Sequence, residues 1–161
     1  MLTATTEIAP SRSAPVVLSE ALAPERILIF FGRESSLEIT ELLSRTFEEM
    51  DWLHVLTAVR VKPTNFICPT VQVLHGRVPG LHETKGALAL SRLGTDGLAE
   101  SPSRIRAILM LLSPLGERFS ERAYLRKAFK LFSTQTNLVF QLSRLLSPQA
   151  VVEAIRHSEL S

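Results

Sequence analysis

The chain has 161 residues, of which 45% are hydrophobic and 21% are charged, and its formal net charge is +2. This length and composition are typical of one globular domain and exclude wholesale disorder. The small charge surplus, without a compact run of lysine or arginine, argues against nucleic-acid binding. The longest apolar stretch, Ile105 to Leu112, is too short to span a bilayer, so we expect no membrane insertion.

The cysteine content and the N-terminal residues bear on compartment and domain boundaries. Cys68 is the one cysteine, which rules out an internal disulfide and a cysteine-based zinc site and fits a reducing cytoplasm. A basic region followed by an apolar core is missing at the N-terminus, so we predict no signal peptide. Residues 1–15 are rich in Thr, Ser, Ala and Pro without periodicity. We predict a flexible tail there and one domain over residues 16–161.

The first half of the domain reads as a short helix, a strand and two further helices. Apolar patterning predicts a helix over residues 17–23, a strand over 26–31, a helix from Ser35 to about Met50 and a helix over 51–61. Ser35 is a candidate N-cap, with Glu38 three residues later as in a capping box. Breakers mark the ends of three of these elements, at Pro24, Gly32 and Pro63.

The second half alternates short apolar runs with turns before it becomes helical. We predict a loop or broken strand over 64–69, a strand over 71–74 with His75 at its end, and a turn over 76–80. A strand over 87–93, a loop over 94–102 and a central strand over 104–112 follow, and Ser113-Pro114 breaks the last of these. The rest is predicted to be helical, over 117–132, over 137–146 and from Ser147-Pro148 to about 156. Strands and helices in this mixed order favour an α/β or α+β sandwich.

The residues that point most clearly to chemistry are His75, directly after an apolar strand, and Arg77, two residues later. Neutral imidazole is a nucleophile near pH 7 and can accept a phosphoryl group on one ring nitrogen, while a hydrogen bond to the other nitrogen sets the tautomer. A guanidinium nearby would neutralise the phosphoryl oxygens. Residues two apart on an extended strand share one face, so Arg77 is the closest candidate in sequence.

Residues Val71–Gly80 read Val-Gln-Val-Leu-His-Gly-Arg-Val-Pro-Gly, and Gly86-Ala87 follows. This segment resembles the active-site segment of phosphotransferase-system enzyme IIA of the mannitol, fructose and nitrogen-regulatory class. In that family a strand of type Ile-Ala-Ile-Pro-His-Ala-Arg precedes Val-Pro-Gly and a strand that begins near Gly-Ala. The order of elements is similar over residues 16–157. The resemblance implies a single α/β domain with a mixed β-sheet flanked by helices on both faces, in which His75 is the phosphoryl acceptor and Arg77 stabilises the phosphoryl group.

The sequence departs from the family pattern ahead of the histidine. Leu74 stands where the family has proline, and Asn65–Cys68 stands where it has Thr-Gly-Ile-Gly, so the glycines that let a loop bend closely are missing. The family also has an Arg-Glu pair before that loop. Gapless counting puts Val59 at the arginine position and Arg60 at the glutamate position. Arg60 is therefore a candidate site residue only if the loop shifts by one residue.

The family's second histidine, on the helix after the central strand, is also missing. No histidine lies between His82 and His157, and either Glu121 or Tyr124 stands nearest the place. Tyr124 is a candidate because its hydroxyl could donate a hydrogen bond to a phosphoryl oxygen. Glu121, by contrast, would repel a phosphoryl group through its charge.

Other interpretations of the same residues stay open. Arg77 also reads as a solvated turn residue, Arg60 as a surface residue, and Tyr124 as a packing residue with a wet hydroxyl. Cys68 is close in sequence to His75, but nothing in the sequence orients the two as a nucleophilic pair. No pair of histidines has convincing metal-ligand spacing, and no glycine-rich nucleotide motif is present, so we expect neither a metal nor a cofactor.

Two functions follow from the resemblance. In the first, an HPr-type phosphocarrier phosphorylates His75, and the chain controls regulated partner proteins according to its phosphorylation state, as in the nitrogen-regulatory branch. In the second, the chain is an enzyme IIA-like binding module that is not phosphorylated. It then acts through its surface, as a homodimer or as a subunit of a larger assembly.

Overall fold

The computed structural model describes residues 16–31, 34–60, 65–95, 105–116 and 118–160. The helices in these ranges are α1 (Leu18–Ala21), α2 (Ser36–Arg45), α3 (Trp52–Arg60), α4 (Arg118–Thr134), α5 (Leu138–Ser143) and α6 (Pro148–Leu160). The strands are β1 (Leu22–Phe30), β2 (Asn65–Cys68), β3 (Val71–Val78), β4 (Lys85–Thr95) and β5 (Ile105–Pro114). The tail predicted for residues 1–15 lies outside the described residues.

The five strands form one mixed sheet in the order β1-β4-β5-β3-β2. The pairs β1–β4 and β3–β5 are parallel, while β4–β5 and β2–β3 are antiparallel. Strand β5 is central, as its continuous apolar run predicted, and its side chains from Ala107 to Ser113 are buried.

Each face of the sheet carries its own apolar core. Neighbouring side chains on a strand point to opposite faces. Leu109 and Leu111 of β5 therefore face a core shared with α1, α4, α5 and α6, whereas Met110 and Leu112 face a core shared with α2 and α3. The prediction of a single α/β domain, whose mixed sheet is flanked by helices on both faces, is confirmed.

The N-terminal elements differ from the prediction in length. Helix α1 has only four residues, and β1 begins at Leu22 and passes through Pro24. Strand β1 lies at the edge of the sheet, where proline is tolerated because one side of the strand has no ladder partner. The predicted capping box is confirmed. Ser35 Oγ accepts from Glu38 N, and Glu38 Oε1 accepts from Ser35 N, each at 3.1 Å.

Several strand boundaries also lie outside the predicted ones. The segment predicted as a loop or broken strand contains β2, and β4 continues to Thr95. The remainder of the loop predicted for residues 94–102 lies outside the described residues. Strand β5 ends at Pro114, within the predicted Ser113-Pro114 break and two residues beyond the predicted end at Leu112. Helix α5 ends at Ser143, three residues before the predicted end.

The position of His75 in β3 is the correction that matters most for function. The sequence prediction ended this strand at Leu74 and made residues 76–80 a turn, but β3 continues to Val78. It does so because β5 pairs with it in register from Val71 to Val78. The turn is confined to Pro79 and Gly80, and Gly80 has a φ of 92°, a conformation that glycine adopts readily. His75 is therefore held inside a strand rather than at its end.

Candidate functional site

His75 and Arg77 lie near the carboxyl ends of the parallel strands β3 and β5. His75 pairs in register with Leu111, and Arg77 pairs with Ser113. Both side chains are on the face that carries Val71 and Val73, which is the face covered by α4. Residues at the carboxyl ends of parallel strands commonly form ligand and catalytic sites in α/β proteins.

A side-chain contact in this region joins strand β3 to helix α4. His75 Nδ1 lies 3.0 Å from Glu121 Oε2, and the two side chains are 14% and 11% exposed. When the imidazole is neutral, only a protonated Nδ1 can donate to a carboxylate, and this tautomer has its lone pair on Nε2. The contact with Glu121 therefore favours the Nδ1-protonated tautomer of a neutral His75, and the limited exposure strengthens the interaction by lowering the local dielectric.

Arg77 binds the other oxygen of the same carboxylate. Its Nε lies 3.7 Å from Glu121 Oε1, and its Nη1 donates to the backbone carbonyl of Leu115 at 3.4 Å. The Arg77 side chain is about a quarter exposed. Glu121 thus bridges an imidazole and a guanidinium, and the predicted common face of His75 and Arg77 is confirmed.

The structure distinguishes between Glu121 and Tyr124, which the sequence left as alternatives for the place of the missing histidine. Glu121 contacts His75, whereas Tyr124 lies one turn further along α4 and packs partly buried against the core on that face. Burial raises the pKa of the Tyr124 hydroxyl, and the carboxylates of Glu20, Glu83 and Glu159 raise it further. From the sequence, Glu121 was expected only to repel a phosphoryl group, and its hydrogen bond to the His75 ring was not predicted.

Arg60 is not brought to this site. It is the last residue of α3, its side chain is exposed, and α3 packs through Val55 and Val59 against the opposite face of the sheet. Within the described ranges, the Arg60 side chain makes no ion pair. Its candidacy depended on a shift of the loop after α3, and residues 61–64 of that loop lie outside the described part of the chain.

A buried pair of hydroxyls lies beside the site and was not predicted. Ser113 is fully buried and pairs in register with Arg77, and its Oγ lies 3.0 Å from Thr84 Oγ1. One hydroxyl donates to the other at the end of the sheet where β5 stops and β4 starts, which gives each of these buried groups a hydrogen-bond partner. In the sequence, Ser113-Pro114 indicated only a break in the strand, so the pattern carried no sign of this contact.

Helix α3 packs closely against β3 on the face of the sheet opposite His75 and Arg77. A Cβ atom added at Gly76, the residue between His75 and Arg77, would lie 2.9 Å from the carbonyl oxygen of Ala58. Such a distance is shorter than van der Waals contact allows, so only glycine fits with α3 in this position. Gly76 therefore lets the helix backbone rest directly on the strand that holds the two side chains.

Other chemistry considered from the sequence finds no support in the described residues. Cys68 lies in register with Val71, about 13 Å along the strand from His75 at the usual rise per residue, and its Sγ is 3.5 Å from Thr70 Oγ1. A nucleophilic Cys-His pair is therefore not formed. Within the described ranges there is no cluster of three metal-ligating side chains. Nor do those ranges contain a helix of sufficient length and apolarity to cross a membrane.

Comparisons with known proteins give a match at the level of structure. Neither a protein-family model nor a curated protein matches the sequence. Among solved structures, nitrogen regulatory protein IIA-Ntr from Neisseria meningitidis matches with a TM-score of 0.72 and 19% identity, over 86% of this chain and 98% of that one. The mannitol enzyme IIA from Escherichia coli has a TM-score of 0.64 and 13% identity, over 83% of this chain and 97% of that one.

A third match is the mannitol-specific cryptic phosphotransferase enzyme IIA CmtB from Escherichia coli. It has a TM-score of 0.60 and 13% identity, over 88% of this chain and 99% of that one. The chain has the enzyme IIA fold. The resemblance to enzyme IIA, which was based on the residues around His75, is thus confirmed, because the shared fold extends over most of the chain. The match also covers nearly the full length of each of these enzyme IIA structures.

Proposed function

We propose that this chain is an enzyme IIA-like regulatory protein that accepts a phosphoryl group on Nε2 of His75 from an HPr-type phosphocarrier. The observation that carries the proposal is the 3.0 Å contact between His75 Nδ1 and Glu121 Oε2. It favours the tautomer in which Nε2 holds the lone pair that must attack phosphorus. A carboxylate that orients a histidine in this way is a recurrent device of nucleophilic and acid–base catalysis.

The transfer step balances without a co-reactant other than the phosphohistidine donor. The Nε2 lone pair of His75 forms a bond to phosphorus while the bond from phosphorus to the donor's ring nitrogen breaks, and that electron pair stays on the donor ring. Nδ1 of His75 keeps its proton, so the phosphorylated ring is cationic. Glu121 then faces a positive ring, and its charge stabilises the product side of the step.

In this step Glu121 has a different electrostatic effect from the repulsion expected from the sequence. The carboxylate contacts Nδ1, whereas the phosphoryl group is bound to Nε2 on the other side of the ring. Attraction between Glu121 and the cationic ring therefore acts over a shorter distance than repulsion between Glu121 and the phosphoryl oxygens. Arg77, which contacts Glu121 at 3.7 Å, adds a positive charge beside both.

Arg60 and Tyr124 stay predictions for this site. Each is tested by one substitution, Arg60→Gln or Tyr124→Phe, in the phosphorylation assay below. A partner protein is expected to read the phosphorylation state, because a phosphoryl group adds up to two negative charges to a partly exposed surface. The match to the nitrogen regulatory protein supports the nitrogen-regulatory branch, and we propose a cytoplasmic location on the same ground.

The test is direct phosphorylation. The purified chain is incubated with phosphoenolpyruvate, enzyme I and an HPr-type carrier, and intact mass is measured. We expect an acid-labile increase of about 80 Da, the mass of one phosphoryl group. His75→Ala should abolish it, and His54→Ala, at an exposed histidine on α3, is the matched control that should leave it unchanged.

Two results would contradict the proposal. A modification that survives in His75→Ala would show that another residue is the acceptor. An unmodified wild-type mass, with a known enzyme IIA phosphorylated in the same mixture, would favour the alternative of a binding module that keeps the fold without the transfer.

A further inference from the structure

A cleft lined by three arginines lies far from His75 on the same domain. Its lining residues are Arg92, Arg106, Phe140, Ser143 and Arg144, and its volume is about 550 Å³. We call it the arginine cleft. Arg106 is at the start of β5, whereas His75 pairs with Leu111 further along that strand. Five residues of extended strand put the cleft about 17 Å from the candidate phosphorylation site.

Two of the three guanidinium groups are fixed by bonds to backbone carbonyls. Arg92 donates from Nε to the Ser143 carbonyl at 3.3 Å and from Nη2 to the Arg144 carbonyl at 2.8 Å. Arg106 donates from Nη1 to the Arg92 carbonyl at 2.6 Å. These bonds satisfy acceptors but do not neutralise the positive charge. They hold the two groups in place, so less conformational entropy is lost when a ligand binds them.

Aromatic rings support the same two side chains. The Arg106 guanidinium lies over the Phe140 ring, 4.9 Å from its centroid, and the Arg92 guanidinium lies 5.2 Å from the centroid of Phe31. A ring stacked on the face of a guanidinium leaves the N–H groups at its edge uncovered, so they can still donate to a ligand. Phe140 also gives the cleft an apolar wall next to its cationic groups.

Among the described residues, no acidic side chain pairs with the arginines of the cleft. Arg144 is exposed and adds the third charge at the end of α5. The carbonyls at that helix end would disfavour an anion, but Arg92 covers two of them with its own hydrogen bonds.

We propose that the arginine cleft binds a compact oxyanion with two or more charges, such as a phosphate ester or a polycarboxylate. Guanidinium groups bind phosphate and carboxylate oxygens in pairs of parallel hydrogen bonds, which suits three arginines around one depression. The volume is within the range of small-molecule sites. A nucleic acid would need a longer basic track than these residues provide, and the net charge of the chain is only +2.

This site is independent of the proposed phosphorylation of His75, so the test uses the unphosphorylated chain. Pyrophosphate and citrate are titrated separately by calorimetry at low and at moderate salt. We expect one of them to bind with a stoichiometry of one, and which one binds distinguishes a phosphate from a carboxylate ligand. His75→Ala should bind with the same affinity as the wild type, which separates this proposal from the first.

The deciding variant is Arg144→Gln, because the Arg144 side chain is exposed and forms no ion pair within the described residues. Its matched control is Arg126→Gln, which removes the same charge from an exposed position on α4. We expect Arg144→Gln to weaken binding about tenfold or more and Arg126→Gln to change it less than about twofold. Equal weakening by both variants would show that only the overall charge of the chain matters, which would overturn the proposal. The absence of binding of either anion at millimolar concentration would also overturn it.

Discussion

Nδ1 of His75 and Oε2 of Glu121 lie 3.0 Å apart although 46 positions separate the two residues in the chain. Strand β3 fixes the histidine and helix α4 fixes the carboxylate, so the contact forms only when α4 is docked on the sheet. The proposed function depends on this pair more than on any other contact. The first prediction therefore removes one partner.

Substitution of Glu121 should slow phosphorylation of His75. Glu121→Gln keeps an acceptor for Nδ1 but loses the charge that stabilises the cationic ring, and we expect a rate about tenfold lower. Glu121→Ala removes the acceptor as well, and we expect a rate on the order of a hundredfold lower, which corresponds to the loss of one hydrogen bond to a charged group. Rates are measured by the increase in intact mass over time.

A readout that does not depend on activity accompanies this prediction. Nitrogen NMR shifts of the His75 ring should show the tautomer protonated at Nδ1 in the wild type and a mixture in Glu121→Ala. Glu153→Gln, which breaks an exposed ion pair with Arg156 on α6, is the control and should alter neither measurement. An unchanged tautomer together with a wild-type rate in Glu121→Ala would sink the assigned role.

Arg77→Gln should slow phosphorylation about tenfold without unfolding the protein. The substitution removes the positive charge beside the acceptor and the donor to the Leu115 carbonyl. Because a partly exposed ion pair contributes little to stability, we expect the free energy of unfolding to fall by less than about 1 kcal/mol. Arg122→Gln, at an exposed position on α4, is the matched control. Equal phosphorylation rates in Arg77→Gln and Arg122→Gln would show that Arg77 has no role in the transfer.

Gly76→Ala should destabilise the fold through a clash with α3. The new Cβ would be 2.9 Å from the carbonyl oxygen of Ala58 and 3.3 Å from its Cβ, so the helix or the strand must shift. Overpacking of this kind costs about 1–3 kcal/mol, which for a chain of this size lowers the melting temperature by roughly 2–12 °C. Calorimetry measures the shift.

The chain offers its own control for that substitution. A Cβ added at Gly116 would meet nothing within 4 Å, so Gly116→Ala should change stability by less than about 0.5 kcal/mol. If both alanine variants melt at the same temperature as the wild type, then the close approach of α3 to the strand does not exist in solution.

Tyr124 should titrate above its ordinary pKa of 10.0, because burial and three nearby carboxylates disfavour its ionised form. Tyr124 is the only tyrosine in the chain, so the ultraviolet absorbance of tyrosinate reports it directly. We expect a higher midpoint in native protein than in protein unfolded by urea. Identical midpoints would show that the hydroxyl is fully solvated.

The sign of the effect on stability follows from this raised pKa. Above about pH 10 the unfolded chain loses the tyrosine proton while the folded protein keeps it, so the folded state binds more protons and its stability falls as the pH rises. The contribution is fully present below pH 10 and disappears as the pH passes through the folded pKa. Tyr124→Phe should therefore lose less stability than the wild type between neutral pH and pH 11, measured by urea unfolding.

The sequence was sufficient to predict the elements whose patterns are local. The capping box at Ser35 and Glu38 and the buried run of β5 both depend on neighbours within a few residues, and both are as predicted. The end of β3 was predicted wrongly because Gly76 and the Pro79-Gly80 pair together resemble a turn. Pairing with β5, which is far away in sequence, keeps Gly76 in the strand.

The site residues on strand β3 could be predicted from the sequence, whereas the contact made by Glu121 on helix α4 could not. His75 and Arg77 are two residues apart, so strand geometry alone puts them on one face. Glu121 and Tyr124 are three residues apart, and helix geometry puts them near each other on one surface of α4. Which of the two meets His75 depends on how α4 is rotated and docked against the sheet, and no local pattern encodes that rotation.

The absence of a side chain at Gly76 has a mechanical consequence. Side chains between packed elements can change rotamer and absorb small movements, but here the backbone of α3 rests on the backbone of β3. A push on α3 from its solvent side is therefore transmitted to the peptide units that carry His75 and Arg77. The position of the pair therefore depends on α3 on one face of the sheet as well as on Glu121 on the other.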